Sequence, residues 1–429
     1  MPDDQSAMPP SRLPYMPAVP TPVLEGPRGL RFDFNEGCRV LVRDNGLSWR
    51  LRLSDLDTGN TLFDTSGTFN AGIVRSAKRY YIRFRIEAWE GDELVFAHDY
   101  DARDRDVLIQ LYPFTMGDGI GWFPNAARFQ EKHGCRLTCA MSAALIPLFR
   151  EAYPHIAFVA HDAVDTSKFY ASYIVGVFYG DLHEVLQPTD FRMTGLHRSA
   201  AYTLGLEPDE APPRIALSDA GRPIAEPYVC IATQATGQGK YWNNPNGWSE
   251  IVAFLKASGY SVVCIDQRPV NGNGIVWNHI PHGVDDQTGD HPLQERARWL
   301  HHADFFVGLS SGLSWLAWAV GVPVVMISGF THPITEFKNP YRVINFNVCN
   351  SCWNDPEFRF DQGDYLGCPR HRDTPANTNA AVSSPPNTSS RRSGASRGLA
   401  AQGRRDPRPP AAPRRRFFVH GQPAFRAGT

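Results

Sequence analysis

The sequence predicts an α/β protein built from two successive Rossmann-type units behind an antiparallel β region. Three observations carry this. Between about residue 30 and residue 98, short β-type runs alternate with turn signals such as Asp44-Asn45-Gly46 and Asp57-Thr58-Gly59-Asn60, the pattern of antiparallel strands. From Asp106 the pattern changes to apolar strand, small-residue loop and helix, as in a parallel sheet with crossover helices. A Pro-, Asp- and Ala-rich stretch at 207–227 then separates a second series of the same kind. Two such halves face a cleft, and ligands are expected at the carboxyl ends of their strands.

Residues 1–29 carry eight prolines and no periodicity, so an unstructured leader is expected there. A β domain over 30–105 contains Arg39–Val42, Trp49–Leu53 and Tyr80–Ala88; the run Tyr80–Trp89 alternates apolar and charged residues as a half-exposed strand does. The first α/β unit, 106–225, opens with a strand at Val107–Tyr112. It continues through a glycine loop at Gly117–Gly121 into a helix at Trp122–His133. Strands at Ile156–Ala160 and Ile174–Tyr179 and a helix at Thr189–Leu204 complete it. The second unit, 226–345, has strands at Tyr228–Thr233, Tyr260–Ile265, Phe305–Leu309 and Val322–Ile327, with helices at Gly247–Ser258, Pro292–His302 and Leu313–Val320. A small cysteine metal finger spans 346–371, and a disordered basic tail spans 372–429.

With 429 residues, 42% hydrophobic and 20% charged, the composition is that of a soluble globular protein. No apolar run reaches the roughly 18 residues of a transmembrane helix. The N-terminus lacks the basic, apolar and cleavage-site order of a secretory signal, so a cytoplasmic location is expected. Eight cysteines are too sparse for a disulfide scaffold. Cys38, Cys135, Cys139, Cys230 and Cys264 lie in apolar contexts and read as core residues. A net charge of −1 argues against a chain selected as a whole for nucleic acid. Residues 372–429 nevertheless hold eleven arginines against two acids, a net +9 that leaves the remaining chain at −10. That tail reads as a solvated, disordered stretch, or as an RNA- or membrane-binding arm.

Four segments carry candidate chemistry. In Phe305–Gly329, a strand runs through Ser310, Ser311 and Gly312 into a helix opening near Leu313 or Ser314. The free N–H groups of such a first turn, with nearby hydroxyls, suit an anion, although serines there also serve as ordinary N-caps. In Ile231–Trp248, a Gly-rich loop presents Lys240, which either reaches a diphosphate or is a solvated surface lysine; the Walker spacing is absent. In Pro113–Pro124, Asp118 stands between two glycines after the first strand of the first unit. A carboxylate facing the cleft there suits a general base, and a turn aspartate is the plainer alternative. Finally, Cys349 and Cys352 at CxxC spacing, with fifteen residues between Cys352 and Cys368, form a metal signature for zinc or iron, with His371 the nearest fourth ligand.

Residues 285–371 resemble the bacterial autotransporter heptosyltransferases. The likeness rests on the string from Asp285 to Phe337, DDQTGDHPLQERARWLHHADFFVGLSSGLSWLAWAVGVPVVMISGFTHPITEF, and on the Cys349–Cys368 segment with FDQGDYLGCPRH. GDGIGWFP and the Tyr228–Asp266 stretch extend it to about residues 30–371. The resemblance implies a GT-B pair of Rossmann domains with an N-terminal β domain and an iron finger. It implies transfer of heptose from ADP-heptose to serine or threonine hydroxyls of an autotransporter passenger domain by an inverting single displacement. Asp118 would be the base. Lys240, Asp286, Ser310, Ser311, Gly312, Leu313 and Ser314 would hold the nucleotide-sugar, and Cys349, Cys352 and Cys368 a structural iron, with zinc as the alternative. A homo-oligomer without membrane or nucleic-acid partners is expected. Two rival readings are a dinucleotide-dependent oxidoreductase, which GxGxxG would support and which is absent, and a metal-finger, basic-tail RNA-binding module. The family pattern places a fourth metal-binding cysteine where residues 376–390 read ANTNAAVSSPPNTSS. Codons can be chosen for that stretch that read EYECSRLITPEHVI from the third base of the Ala376 codon. That string restores the cysteine, so a frameshifted C-terminus is expected.

Overall fold

Two parallel-sheet cores organise the chain, and several strands of the N-terminal β region are built onto the first of them. The structure, a computed structural model, describes residues 15–370 apart from 45, 47, 66–70, 114, 218–220, 275, 359–367 and 369. The first sheet runs Ala157–Ala160, Arg136–Met141, Asp106–Leu111, Ala171–Val175, Arg31–Asn35, Arg39–Val42, Gly72–Arg75, with Leu24–Glu25 added against Arg31–Asn35. The strands through Arg31–Asn35 are parallel, with Cys139 and Tyr173 flanking Ile109; the remaining pairs are antiparallel. Part of the expected β domain therefore extends the Rossmann sheet. The rest, Thr61–Asp64, Trp49–Asp55, Phe84–Glu90 and Glu93–Asp99, forms a four-stranded antiparallel sheet.

The merger follows from burial. Phe34, Val40 and Val42 share one core with Val107, Ile109 and Leu111, all 1% exposed or less, and each such side chain contributes about 1.5–3 kcal/mol by leaving water. A buried Asp33–Arg39 pair at 2.6 Å also holds the N-terminal segment, for Arg39 donates to the Val19 carbonyl and Asp33 accepts from the Val23 amide. Residues 15–29 consequently lie on the body rather than forming the expected leader: Tyr15 is buried, and the Met16 amide donates to Gln110. Residues 1–14 and everything from His371 onward, including the basic tail and the proposed frameshift, lie outside the described residues.

The second sheet is parallel throughout, in the order Asp285–Asp286, Ser261–Cys264, Tyr228–Ala232, Phe306–Leu309, Val324–Ile327, Arg342–Val343. Helices Gly247–Ala257, Leu293–His302 and Gly312–Ala319 are its crossovers, close to expectation. The strand Arg136–Met141 and the hairpin Val270–Asn273/Val276–His279 were not anticipated. The expected helix over Thr189–Leu204 is two helices, Phe191–Thr194 and Leu196–Thr203, broken at Gly195 with φ 82°. A Cβ there would fall 2.0 Å from the Ile334 carbonyl oxygen of the second unit, so the glycine marks a close approach between the units.

The largest departure concerns Gly117–Gly121, which is helix and not loop. The helix runs Met116–His133 and ends where Gly134 turns left-handed, its N–H donating to the Gln130 carbonyl. Its three early glycines are packing sites. A Cβ on Gly119 would meet Leu145 at 2.3 Å, and one on Gly121 would meet Leu196 at 2.4 Å.

Candidate active site

Asp118 occupies the third position of the Met116–His133 helix, at the carboxyl end of the central strand Asp106–Leu111. Thr115 at the N-cap and Asp118 form a capping box. The Thr115 amide and hydroxyl both donate to Oδ2, at 3.1 and 2.7 Å. The carboxyl is 7% exposed and lines a cavity of about 240 Å³ between the units. Burial raises its pKa to about 6, while the Thr115 hydroxyl, the Lys240 charge and the Thr115 amide all pull it down.

Lys240 ends a single 3-10 turn, Gln238–Lys240, that follows the strand Tyr228–Ala232. Its Nζ lies 5.2 Å from the centroid of the Phe330 ring, within cation–π range. Burial lowers its pKa; Asp118 and Glu336 oppose that shift. No carboxylate among the described residues reaches ion-pair distance of it, so its charge is available to the cleft. Lys240, Thr115, Thr236, Ser311 and Gly312 also line a second, larger cavity of about 1000 Å³.

The helix Gly312–Ala319 opens between these cavities with Ser311 at its N-cap. Gly312 crosses Gly117 of the other unit. A Cβ on Gly312 would stand 3.2 Å from the Gly117 nitrogen and 2.6 Å from Met116 Cε, and one on Gly117 would stand 2.7 Å from Trp315 Cδ1. Two helix N-termini, one from each unit, therefore meet at the cleft floor, and both turn free N–H groups and the positive end of a dipole toward it.

The structure divides the sequence-predicted residues. Asp118, Lys240, Ser310, Ser311 and Gly312 converge on the smaller cavity, and Leu313 lines the larger one. Ser314 is fully buried and donates to the Leu309 carbonyl at 2.5 Å, so its hydroxyl does not serve the cleft. Ser310 lines the smaller cavity, but its hydroxyl is bonded to Thr331, at 2.7 Å, and to Glu336, which line it too. Glu336 in turn pairs with Arg342 at 2.9 Å, both almost completely buried. Asp286 lies on an exposed edge strand, accepts from the Thr288 amide and lines neither cavity.

Sequence reasoning missed several residues of the larger cavity. Asp266, 1% exposed, accepts from the Thr233 amide and hydroxyl at 2.7 and 2.9 Å and from the Gln234 amide at 3.2 Å. Burial raises its pKa. Arg296 donates to the Ile265 and Gly289 carbonyls. An acid ending a strand was the available signal for Asp266; a charged residue on the buried face of a helix was the signal for Arg296.

Cys349 and Cys352 are half-buried and Cys368 is buried. The Cys352 thiol is pushed up to about 12 by burial, then by Cys349 and Cys368. Among the described residues no three His, Cys, Asp or Glu side chains close into a metal-holding set, and His371 lies outside them. Thiolates at this sequence spacing suit iron or zinc. No described helix is long and apolar enough to cross a membrane.

Residues 26–92 match the N-terminal domain of glycosyltransferase TibC, and residues 140–363 match glycosyltransferase family 9 (heptosyltransferase). The chain is 51% identical over 361 residues to the autotransporter heptosyltransferase BAHTCr of Citrobacter rodentium, covering 83% of this chain and 86% of that protein. It is 50% identical over 357 residues to the autotransporter heptosyltransferase TibC of Escherichia coli O78:H11, covering 82% and 86%. It is 47% identical over 362 residues to the inactive autotransporter heptosyltransferase BimC of Burkholderia thailandensis, covering 84% of each. The crystal structure of dodecameric iron-containing TibC with ADP-D-β-D-heptose superposes with a TM-score of 0.84 at 46% identity, covering 90% of this chain and 100% of that one.

Proposed function

The chain belongs to the autotransporter heptosyltransferases of glycosyltransferase family 9, and we propose that it moves a heptose from ADP-heptose to serine or threonine hydroxyls of an autotransporter passenger domain. Membership displaces the oxidoreductase and RNA-module readings. Because a relative of similar identity is named inactive, activity rests on this chain's own residues. The observation that carries it is the Asp118 carboxyl, held by Thr115 at the cleft floor beside Lys240 and the Gly312–Ala319 N-terminus.

At neutral pH a carboxyl with pKa about 6 is mostly ionised and basic enough to take a proton, the balance a general base needs. Asp118 Oδ1, to which no described residue donates, accepts the proton of the incoming hydroxyl. The acceptor hydroxyl's own oxygen bonds to the anomeric carbon as the bond to the diphosphate oxygen breaks on the opposite face, which inverts the centre. The charge that develops on the departing ADP meets Lys240 and the N–H groups of the Gly312 turn, with the Ser311 hydroxyl adjacent. The nucleotide occupies the larger cavity and the sugar the smaller one. Cys349, Cys352 and Cys368 would hold iron, which would cross-link its segment and take no part in transfer. The chain assembles as a homo-oligomer and acts in the cytoplasm.

The test is intact mass spectrometry of an autotransporter passenger domain incubated with this chain and ADP-heptose. Mass increments of one heptose each are expected, and none with Asp118→Asn. An unmodified passenger, with the donor intact, refutes the reading.

A further inference from the structure

The segment that carries the first two cysteines also builds a wall of the smaller cavity. Ser351 and Trp353 donate their amides to the Gly329 and Phe330 carbonyls at 2.6 and 3.0 Å, which lays the Cys352–Asn354 turn along the strand-end loop of the second unit. Trp353, 9% exposed, lines the cavity, and its ring centroid is 5.6 Å from Phe191 of the first unit and 6.0 Å from Phe330 of the second.

Asn354 then joins three pieces of chain. Its Oδ1 accepts from the His332 amide at 2.9 Å and the Thr335 hydroxyl at 3.1 Å, and its Nδ2 donates to the Arg192 carbonyl at 2.7 Å and the Thr335 hydroxyl at 3.0 Å. The loop it fixes bears Thr331, Thr335 and Glu336, all of which line the cavity. The Thr335 carbonyl accepts from the Leu196 amide at 3.1 Å, so the same loop reaches the first unit. Asn354 does not line either cavity itself.

We propose that Asn354 is a positioning residue for the sugar half of the donor: by tying the 331–336 loop to Arg192 it fixes the sugar-side wall of the cavity, without touching the nucleotide side. The inference rests on the assignment of the smaller cavity to the sugar. Its consequence is selective. Loosening this wall weakens binding of the sugar-bearing donor and leaves bare ADP, seated in the larger cavity, unaffected. A general loss of structure would weaken both.

The experiment is calorimetric titration of the full-length, iron-loaded chain with ADP and with ADP-heptose, without acceptor, for the wild type and Asn354→Ala. The expected result is about tenfold weaker ADP-heptose binding in Asn354→Ala, the scale of one or two lost hydrogen bonds, with ADP affinity within about twofold of wild type. Asn354→Asp keeps both accepted bonds and loses those that Nδ2 donates to Arg192 and Thr335, so a smaller shift in the same direction is expected; it also serves if Asn354→Ala fails to fold. Equal losses for both ligands, or no loss for either, overturn the proposal. A wild type that binds ADP but gains nothing from the heptose overturns the sugar-side assignment, and one that binds neither ligand refutes the donor reading, each taking this inference with it.

Discussion

Asp118→Asn is expected to remove transfer while making the protein more stable at neutral pH. Burial holds the Asp118 carboxyl at about 6, against 3.8 for an ordinary aspartate. A carboxyl whose folded pKa lies above its unfolded one binds its proton more tightly in the folded chain. The stability this gives is complete below about pH 3.8, declines as the pH rises, and is gone above about 6. At pH 7 to 8 the buried carboxylate therefore costs on the order of 3 kcal/mol relative to its protonated form, from a shift of about two units at 1.36 kcal/mol each. Asparagine has nearly the same shape, still accepts from Thr115 and never ionises. Thermal melts should show Asp118→Asn a few degrees more stable at pH 8 and indistinguishable from wild type near pH 3.5. Turnover should fall about 10²–10⁴-fold, the usual contribution of a general base. In the wild type, kcat/KM should lose about tenfold between its plateau and pH 5, because only the ionised form accepts a proton. A folded Asp118→Asn with near-normal turnover, or a wild-type rate flat from pH 5 to 7, would refute the assignment of Asp118 as the base.

Lys240→Ala should lower kcat/KM about 10–150-fold, the worth of a charge-assisted contact of about 1.5–3 kcal/mol, and should move the acid limb of the pH profile upward, since the Lys240 charge lowers the Asp118 pKa; steady-state kinetics from pH 5 to 8 checks both. Gly312→Ala should cost about 1–3 kcal/mol by overpacking the helix crossing and should depress turnover further by separating the two N-termini, read from melts and rates on the same sample. Glu336→Gln leaves Arg342 buried without its anion, a change of about 3–5 kcal/mol; denaturation should show that loss, and an added Arg342→Met should recover part of it. Cys352→Ser should reduce the iron content of purified protein, measured by elemental analysis, and unchanged iron would remove Cys352 from the ligand set.

What was legible in the sequence was whatever depends on local pattern. In the second unit, apolar runs such as Phe305–Leu309 and Val322–Ile327 are bounded by turn residues, and the observed strands fall within them. The convergence of Asp118, Lys240 and the Gly312 turn followed from one rule, that ligands gather at the carboxyl ends of parallel strands. What failed depends on contacts distant in sequence. Gly117, Gly119 and Gly121 read as a loop because glycine weakens isolated helices, yet their partners are Trp315, Leu145 and Leu196. The strands of 31–42 read as a separate domain because nothing in them announces that Phe34 and Asn35 pair with Ala171 and Ser172. Ser310 and Ser314 read as ligand donors because a hydroxyl near a helix start has that capacity; Glu336 and the Leu309 carbonyl claim them.

The glycine misreading also bears on how the two halves of the proposed site are held together. A helix beginning at Met116 with bulkier residues at 117 and 121 would stand away from Trp315, and the Gly312 turn would then face Asp118 across a wider gap. With glycine at 117 and 312 the backbones of the two units approach closely, so the proposed base from one unit and the proposed anion site from the other are set by the same contact. Family membership does not guarantee this arrangement, since a relative nearly as similar as the active-named ones is named inactive. Three local features do bear on it: a carboxyl at the third position of the first helix, a lysine with no carboxylate partner among the described residues, and a glycine–glycine crossing that holds the two together. This chain has all three, which makes the turnover of the single variants, rather than overall similarity, the measurement that decides its activity.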